Sequence, residues 1–195
     1  MTRTVGSSSP RRMPEDAALL AALESLRNRG ALGESSLPRA VRHADAFVAV
    51  LPPSTRRVID LGSGGGLPGL VIAVRCPALR MVLTDRRERR TDLLRLAVSR
   101  LDLSDRVDVL TVDVQALGRM AGFAGQFDAV TARAFGEPML TLSYARPFVV
   151  PGGVVVISDP PEVDPSVRWP EVRVASLRLH RSSGDHNGVS LFSAL

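Results

Sequence analysis

The sequence predicts an α/β fold: a doubly wound, mostly parallel sheet of seven strands with a small N-terminal helical cap. Two observations predict this fold. From about residue 56 onward, short apolar runs that fit strands alternate with segments at helical spacing. The first of these runs leads into the glycine-rich stretch DLGSGGGLPG at residues 60–69, and a helical segment follows. Strand, glycine turn and helix form the first unit of α/β folds that bind nucleosides or dinucleotides.

The alternation also places the individual elements of the main domain. We predict parallel strands at residues 56–61, 81–85, 107–111, 127–131 and 154–158. We predict helices between them at residues 68–75, 89–101, 114–120 and 138–146. Residues 159–168 are rich in proline and acid, which predicts a loop. Residues 172–179 and 188–193 alternate apolar with polar or small side chains, which predicts a final antiparallel pair of strands.

The N-terminal part of the chain has a different pattern. Residues 1–13 are polar, basic and rich in serine, and we expect a disordered basic tail there. Apolar side chains at helical spacing predict one helix over residues 14–30 and a second over residues 38–50. We expect residues 14–53 to form a helical cap on the main domain, residues 54–195, and not a domain of their own.

The size and composition exclude several classes of protein. A chain of 195 residues with 45% hydrophobic residues is long enough for one domain with a proper core. No apolar run approaches the roughly 20 residues of a membrane span, and the N-terminus lacks the apolar core of a signal peptide. The single cysteine, Cys76, excludes an internal disulfide and a zinc site built from cysteines. We expect a cytoplasmic monomer without a metal.

The charge balance favours a polyanionic partner. The net charge is +5, and all 25 basic residues are arginine. Arginine binds phosphate through two parallel hydrogen bonds and stacks on bases, so RNA is the leading candidate partner. The alternative is that these charges only solvate the surface, and the charge by itself does not decide between the two.

Two aspartates on either side of the glycine turn indicate the kind of nucleoside. Asp60 directly precedes the glycines, and Asp85 ends the next apolar run. An NAD enzyme has its acid only at the second strand, and a carboxylate at the mouth of the turn would repel a pyrophosphate. The pattern fits S-adenosylmethionine (SAM): Asp60 would hold the turn or the methionine ammonium, and Asp85 the ribose hydroxyls. A tight turn without a ligand is the alternative.

Other strand ends supply further candidates for the same crevice, because ligands of open α/β sheets bind outside the carboxyl ends of the strands. Leu67 could pack on the ligand. Residues 113–115 lie where an adenine would sit, although Asp113 could equally cap the short helix that follows. Arg133 is suited to the methionine carboxylate or to an RNA phosphate, with a surface ion pair as the alternative. Most arginines in the run 86–90 fit a solvated helix start.

These motifs together resemble one family. The stretch DLGSGGGLPG at residues 60–69 is similar to the D-x-G-S-G-x-G-F-P-G signature of the bacterial 16S ribosomal RNA guanine-N7 methyltransferases, formerly the glucose-inhibited division protein B family. Three further stretches agree with the family's R-H-x-x-D-S-L, D-S-x-x-K-R and [TS]-S-R-A patterns: RHADAF at 42–47, DRRERR at 85–90, and TARA at 131–134. The resemblance covers residues 38–158 and implies a class I SAM-dependent methyltransferase of Rossmann-like fold.

The resemblance also implies which residues bind the cofactor and the substrate. The positions that match the family's SAM contacts are Gly62, Leu67, Val114, Gln115 and Arg133. The residues themselves add Asp60, Gly64 and Asp85 to the candidate cofactor site. Arg42, His43 and Arg133 are candidate contacts to 16S ribosomal RNA or the small ribosomal subunit, although a lone histidine on a helix is more often structural.

The chain departs from the family pattern at three places. It lacks the N-terminal W-N-x-x-x-N-L-T segment, it has Asp159-Pro160 where the family has a lysine–glycine pair, and it has Asp113-Val114-Gln115 in place of an R-x-E stretch. These departures leave alternatives open: a methyltransferase that acts on a small molecule or another RNA, or a SAM- or RNA-binding protein without catalysis. Guanine N7 needs no general base, so no catalytic residue is assigned and alignment of the reactants would be sufficient.

Overall fold

A computed structural model describes residues 12–33, 36–160, 162–182 and 187–195. Most of the expected tail, residues 1–11, lies outside the described residues. Its last two positions do not belong to a tail, because helix α1 begins at Arg12. None of the helices in the described ranges is both long and apolar enough to cross a bilayer.

The described strands form one seven-stranded sheet in the order β3-β2-β1-β4-β5-β7-β6. Strands β1 to β5 are mutually parallel, and β7 runs antiparallel to both of its neighbours. This architecture confirms the predicted doubly wound, mostly parallel sheet. The strands are β1 Arg57–Leu61, β2 Arg80–Asp85, β3 Val107–Thr111, β4 Phe127–Ala132, β5 Val149–Ser158, β6 Leu179–Arg181 and β7 Val189–Ala194.

Helices cover both faces of the sheet. Successive strand residues point to opposite sides, so neighbours in one strand pack in different cores. Val58 packs in a core with α1, α2, α3 and α4, whereas its neighbour Ile59 packs in the core that contains α5, α6 and the C-terminal helices. The helices are α1 Arg12–Asn28, α2 Leu37–Val50, α3 Gly69–Arg75, α4 Glu88–Arg100, α5 Val114–Leu117, α6 Pro138–Ala145, α7 Pro165–Arg168 and α8 Glu171–Ser176. Helix α5 is shorter than the predicted 114–120.

The two N-terminal helices share the core of the main domain. Leu23 of α1 and Phe47 of α2 are fully buried in the same cluster as the helices on that face of the sheet. Arg75 at the end of α3 connects all three elements: its guanidinium contacts Asp45 of α2 at 3.1 Å and also pairs with Asp16 of α1. Helices α1 and α2 therefore extend the main core instead of forming a second one.

Strand β5 begins earlier than predicted. We expected the Pro-Gly-Gly turn at residues 151–153 to precede a strand that begins at residue 154, but β5 runs from Val149 through these residues. Gly152 has a φ of +76°, and a Cβ on Gly153 would lie 2.8 Å from the carbonyl oxygen of Asp128. The register of β4 and β5 shifts at this point. The two glycines thus allow a bulge inside the strand in place of a turn before it.

The predicted strand at residues 172–179 and the predicted loop at residues 159–168 were both wrong in part. Residues 171–176 form α8, only Leu179–Arg181 are extended as β6, and the loop contains α7. Asp164 caps α7 by accepting a hydrogen bond from the N–H of Ser166 at 2.8 Å. The apolar spacing of a six-residue stretch fits both a strand and a helix. The helix is favoured because it buries Val174 against the core.

Candidate functional site

Two neighbouring cavities lie outside the carboxyl ends of the parallel strands, with Ala134 in the wall of both. The smaller one, which we call the inner cavity, has a volume of about 360 Å³; the larger one, the wide crevice, has a volume of about 1180 Å³. The inner cavity is lined by Gly62, Asp85, Arg86, Arg87, Arg90, Val112, Asp113, Val114, Gln115, Ala134, Phe135 and Tyr144. The wide crevice is bordered by the ends of β4 and β5, by α2 and by the start of β7.

The glycine turn at one wall of the inner cavity depends on left-handed backbone. Gly62, Gly64 and Gly66 have φ values of +67°, +52° and +89°, which side-chain-bearing residues rarely adopt. Space is also short, since a Cβ on Gly62 would lie 2.4 Å from Cδ2 of Phe135. The turn therefore brings bare backbone against the cavity wall, as a ligand that binds through backbone N–H groups requires.

Asp85 lies at the mouth of this turn, as the sequence predicts. Its carboxylate is 6% exposed, and its Oδ2 accepts a hydrogen bond from the N–H of Gly64 at 3.1 Å. Its Oδ1 accepts one from the N–H of Arg87 at 2.9 Å, and Nη1 of Arg90 lies 3.6 Å from Oδ2. The carboxylate is thus held rigidly at the wall of the inner cavity, where it can accept hydrogen bonds from vicinal hydroxyls.

Asp60 lies beneath the turn and lines neither cavity. It is fully buried; its Oδ1 accepts a hydrogen bond from Oγ1 of Thr131 at 2.7 Å, and its Oδ2 has no hydrogen-bond partner of normal geometry among the described residues. Burial raises the pKa of Asp60 to about 6, although Thr131, Ser63, the N–H of Gly69 and the charge of Arg133 lower it. Of its two expected roles, this position favours holding the turn over binding an ammonium group.

The residues expected beside an adenine line the inner cavity. Asp113 caps α5, accepting a hydrogen bond from the N–H of Gln115 at 2.8 Å, so the capping role holds. Val114 is buried in the same wall, and the side-chain amide of Gln115 donates to the hydroxyl of Tyr144. Leu67 behaves differently: it is buried in the core and lines neither cavity, so the structure does not bring it to the other candidates.

A strained turn after β4 separates the two cavities. Ala134 has a φ of +50°, a conformation that costs energy for a residue with a Cβ. Arg133 on one side lines the wide crevice, and Phe135 on the other lines the inner cavity. Burial lowers the pKa of the half-buried Arg133, and the charge of Asp60 opposes that shift. Arg133 forms no salt bridge within the described ranges, so the surface ion pair considered above is not observed.

His43 lines the wide crevice and also joins two parts of the fold. Its Nε2 lies 3.1 Å from the carbonyl oxygen of Gly188, which accepts a second hydrogen bond from the N–H of Asp159. Burial lowers the pKa of His43, as does the charge of Arg133, while the Gly188 hydrogen bond and Asp159 oppose the shift. The lowered pKa favours the neutral ring, and Nε2 donates because a carbonyl oxygen can only accept. Arg42 is exposed and lines neither cavity.

The structure adds functional candidates that sequence reasoning missed. Phe135 and Tyr144 form an aromatic wall of the inner cavity, with ring centroids 6.1 Å apart and planes nearly perpendicular. The wide crevice contains three further arginines from separate elements: Arg39, Arg168 and Arg181. Only Phe135 had a signal in the sequence, because it follows the TARA stretch directly; the other positions depend on how distant segments pack.

Comparison with known proteins identifies the family. A family model described as "GidB: rRNA small subunit methyltransferase G" matches residues 38–158 of this chain. The chain belongs to this family. The match confirms the resemblance inferred from the glycine turn and its flanking motifs. In the described part of the chain, no group of three or more His, Cys, Asp or Glu side chains could hold a metal ion.

The curated relatives match this chain over about half of their own length. The chain is 33% identical over 135 residues to the ribosomal RNA small subunit methyltransferase G of Parasynechococcus marenigrum, covering 69% of this chain and 54% of that protein. It is 41% identical over 133 residues to the protein of the same name from Kineococcus radiotolerans, covering 66% of this chain and 50% of that protein. The chain thus spans about half the length of the curated relatives it matches.

Solved structures share the fold at low sequence identity. An O-methyltransferase from Bacillus cereus in complex with SAH superposes with a TM-score of 0.68 at 19% identity, covering 94% of this chain and 93% of that chain. A SAM-dependent O-methyltransferase from Thermotoga maritima gives a TM-score of 0.62 at 14% identity, covering 89% and 71%. At these identities the likeness shows the Rossmann-like methyltransferase fold and nothing about the substrate.

Proposed function

We propose that this GidB-family protein is a SAM-dependent methyltransferase that methylates N7 of a guanine in 16S ribosomal RNA. The observation that carries the proposal is the position of Asp85. Its buried carboxylate stands at the mouth of a glycine turn, in a cavity that shares Ala134 in its wall with an arginine-lined crevice. This arrangement offers one place for a nucleoside and an adjoining place for an anionic substrate.

The residues of the inner cavity fit SAM. Asp85 would accept hydrogen bonds from the ribose hydroxyls, and residues 113–115 would flank the adenine, next to the aromatic wall of Phe135 and Tyr144. Gly62 borders the cavity with backbone only, and its neighbourhood would face the amino-acid part. Arg133 lines the adjoining wide crevice, is half-buried and forms no salt bridge among the described residues, and it would hold the methionine carboxylate across the turn at Ala134. When bound, the cofactor supplies an electrophilic methyl group.

The protein itself has little chemistry to perform on guanine N7. This nitrogen has an in-plane lone pair and carries no proton, so no general base is needed. The neutral His43 and the arginines of the wide crevice would hold the nucleotide, which must leave any base stack to reach the cavity. Alignment of the acceptor nitrogen with the methyl group, worth up to about 7–11 kcal/mol in well-oriented reactions, would supply most of the acceleration.

The proposal includes the partner and its location. The basic crevice supports 16S ribosomal RNA or the small ribosomal subunit as the partner, and the protein would act on it in the cytoplasm as a monomer. The methyltransferase name that the curated relatives have in common supports the same substrate.

The test is a methylation assay with tritiated SAM and small ribosomal subunits from a strain that lacks its own guanine-N7 methylation. We expect label in 7-methylguanosine after digestion of the 16S RNA, and less label with the Asp85→Ala variant at SAM concentrations below saturation. Label confined to a small metabolite would replace the RNA substrate with a small molecule. Tight SAM binding without transfer to any substrate would indicate a binding protein.

A further inference from the structure

The end of strand β5 has an acid where the family pattern has a lysine, yet the structure does not present this acid to the crevice as a free charge. Asp159 is buried, and its Oδ1 accepts a hydrogen bond from Nε1 of Trp169 at 2.8 Å. Its Oδ2 accepts one from Oγ of Ser190 at 2.6 Å. The carboxylate therefore organises the segment that follows β5, which lies beyond the residues matched by the family model.

Arg168 on α7 is the main residue that this segment adds to the wide crevice. Its Nη1 donates to the carbonyl oxygen of Ser158 at 2.9 Å and lies 3.3 Å from Oδ1 of Asp159. Its guanidinium carbon lies 4.8 Å from the centre of the Trp169 ring, within the range of a cation–π contact. The side chain is only 11% exposed. The guanidinium of Arg168, ten residues further along the chain, thus places a positive charge at the end of β5.

Arg168 has one salt-bridge partner in the described ranges, and one of its donor atoms has no partner there. Asp159, its single salt-bridge partner in the described ranges, also serves Trp169 and Ser190, and Nε of Arg168 is buried without a partner there. Burial lowers the pKa of Arg168 despite the opposing charges of Asp159 and Glu137. A guanidinium at the wall of a large cavity, with one carboxylate partner and an Nε without a partner among the described residues, can bind an anion as a second partner.

Ser158 connects Arg168 to the turn that separates the two cavities. In the β4–β5 ladder Ala132 pairs with Ile157, so Arg133 and Ser158 follow at the same edge of the sheet. The N–H of Ala134 lies 3.3 Å from Oγ of Ser158, while the Ser158 carbonyl accepts from Arg168. Ser158 therefore contacts both Ala134, which borders the two cavities, and Arg168.

We propose that Arg168 binds a backbone phosphate of the RNA beside the target base, and that Asp159 and Trp169 position it. This inference rests on the proposed function, because it presumes an RNA substrate in the wide crevice. Arg133 can then serve the cofactor carboxylate while Arg168 serves the RNA. The lysine missing after β5 is accordingly replaced in space by an arginine from a different element.

The experiment compares Arg168→Ala with Arg119→Ala, which removes the same charge from an exposed position that lines neither cavity. The affinity for unmethylated small subunits and for 16S RNA stripped from them is measured between about 50 and about 200 mM salt. We expect Arg168→Ala to weaken RNA binding about tenfold and to reduce the salt slope by about one contact, with SAM affinity unchanged. Arg119→Ala should behave as the unaltered protein.

Two conservative variants separate a binding role from a folding role. Arg168→Lys keeps the charge and should keep the salt slope, although it loses the stacked, forked geometry and part of the affinity. Asp159→Asn removes the carboxylate charge that positions Arg168 and should weaken RNA binding by about two- to fivefold, less than Arg168→Ala does. Thermal unfolding of each variant excludes a collapsed crevice as the cause.

The results distinguish this inference from the proposed function. If the unaltered protein methylates the RNA but Arg168→Ala binds it with the same affinity and salt slope, the phosphate assignment is wrong and the proposed function stands. An RNA affinity of Asp159→Asn equal to that of the unaltered protein would show that Asp159 does not position Arg168. If the unaltered protein neither binds nor methylates the RNA, both are overturned.

Discussion

At the scale of single residues, two aspartates that the sequence pairs around one glycine turn have different surroundings. Asp85 accepts two backbone hydrogen bonds and faces the inner cavity. Asp60 is fully buried beneath the turn, where its carboxylate accepts a hydrogen bond from Thr131. The first carboxylate is accessible to a ligand and the second is not, so substitutions should affect ligand binding at one and folding at the other.

Removal of the Asp85 carboxylate should weaken SAM binding. Charge-assisted hydrogen bonds to the ribose would be lost, which corresponds to about 1–3 kcal/mol, or roughly 5- to 150-fold in the dissociation constant. Calorimetric titration of Asp85→Ala and of the isosteric Asp85→Asn with SAM measures the loss. The control is Asp92→Ala on the same α4 helix, whose exposed carboxylate pairs only with Arg95 among the described residues. Equal affinities in Asp85→Ala and the unaltered protein would remove the ribose assignment.

The buried carboxyl of Asp60 should make folding stability depend on pH. Its pKa is raised from 3.8 to about 6, so the folded state binds the proton more tightly than the unfolded state does. The favourable contribution is complete below pH 3.8 and is lost as the pH rises through about 6. Between about pH 5 and pH 8 we expect the free energy of unfolding to fall by about 1–1.5 kcal/mol relative to Asp60→Asn.

Chemical denaturation of both proteins across this pH range measures the Asp60 contribution. His43, whose pKa is lowered, titrates in both proteins and cancels in the difference between them. If the free energies of unfolding of the two proteins depend on pH in the same way, the pKa of Asp60 is not raised in the folded state.

At the scale of elements, the glycine turn is fixed by the segment between α1 and α2 as well as by the sheet. A Cβ added to Gly65 would lie 2.3 Å from Cγ of Leu32 and 2.7 Å from the carbonyl oxygen of Ala31. The segment that connects the two N-terminal helices therefore packs directly against the glycine turn. The helical extension supports the cofactor wall, although it supplies no atom to the inner cavity.

Gly65→Ala tests this contact. The added methyl group meets backbone, which cannot rotate away, so we expect a loss of about 1–3 kcal/mol of stability from overpacking. Gly122→Ala is the matched control: nothing lies within 4 Å of its Cβ position and its φ is not in the left-handed region. That change should be neutral or stabilising by up to about 1 kcal/mol. Urea unfolding of the two variants gives both numbers, and equal stabilities would mean that the helical connection can yield to the turn.

The elements nearest the glycine turn could be predicted, and those at the C-terminal end could not, for a physical reason. Strand β1, the turn and Asp85 follow from local pattern: an apolar run, glycines at left-handed positions, and an acid at a strand end. Helix α8 was mistaken for a strand because its apolar spacing fits both periods and only burial of Val174 against distant residues decides. Arg168 was missed because its place in the crevice depends on its contact with the buried Asp159. In the sequence, Asp159 is visible only as a departure from the lysine of the family pattern.

At the scale of the whole molecule, one strained turn borders both cavities, so the binding of one ligand should affect the affinity for the other. Arg133, Ala134 and Phe135 stand between the cofactor cavity and the arginine-lined crevice. An RNA phosphate in the crevice and the reacting sulfur in the inner cavity would be separated by little more than this turn. Their charges therefore interact across a partly buried boundary, where screening by salt is weaker than at the surface.

This proximity predicts that RNA binds more tightly to the protein loaded with SAM than to the protein loaded with S-adenosylhomocysteine. The two cofactor forms differ by one methyl group and one positive charge on sulfur. Over about 10 Å, a unit charge contributes roughly 0.4 kcal/mol in water and roughly 1.7 kcal/mol at an effective dielectric constant of about 20. We expect about a two- to fivefold difference in RNA affinity at about 0.1 M salt, which shrinks as salt is added.

Linkage supplies a second, independent measurement of the same coupling. If SAM raises the affinity for RNA relative to S-adenosylhomocysteine by some factor, RNA must raise the affinity for SAM relative to S-adenosylhomocysteine by that same factor. RNA titrations at saturating cofactor and cofactor titrations at saturating RNA should therefore agree. Such coupling favours release of the methylated RNA, because transfer removes the positive charge from sulfur. Identical RNA affinities in the two cofactor states at low salt would show that the turn at Ala134 insulates the two cavities electrostatically.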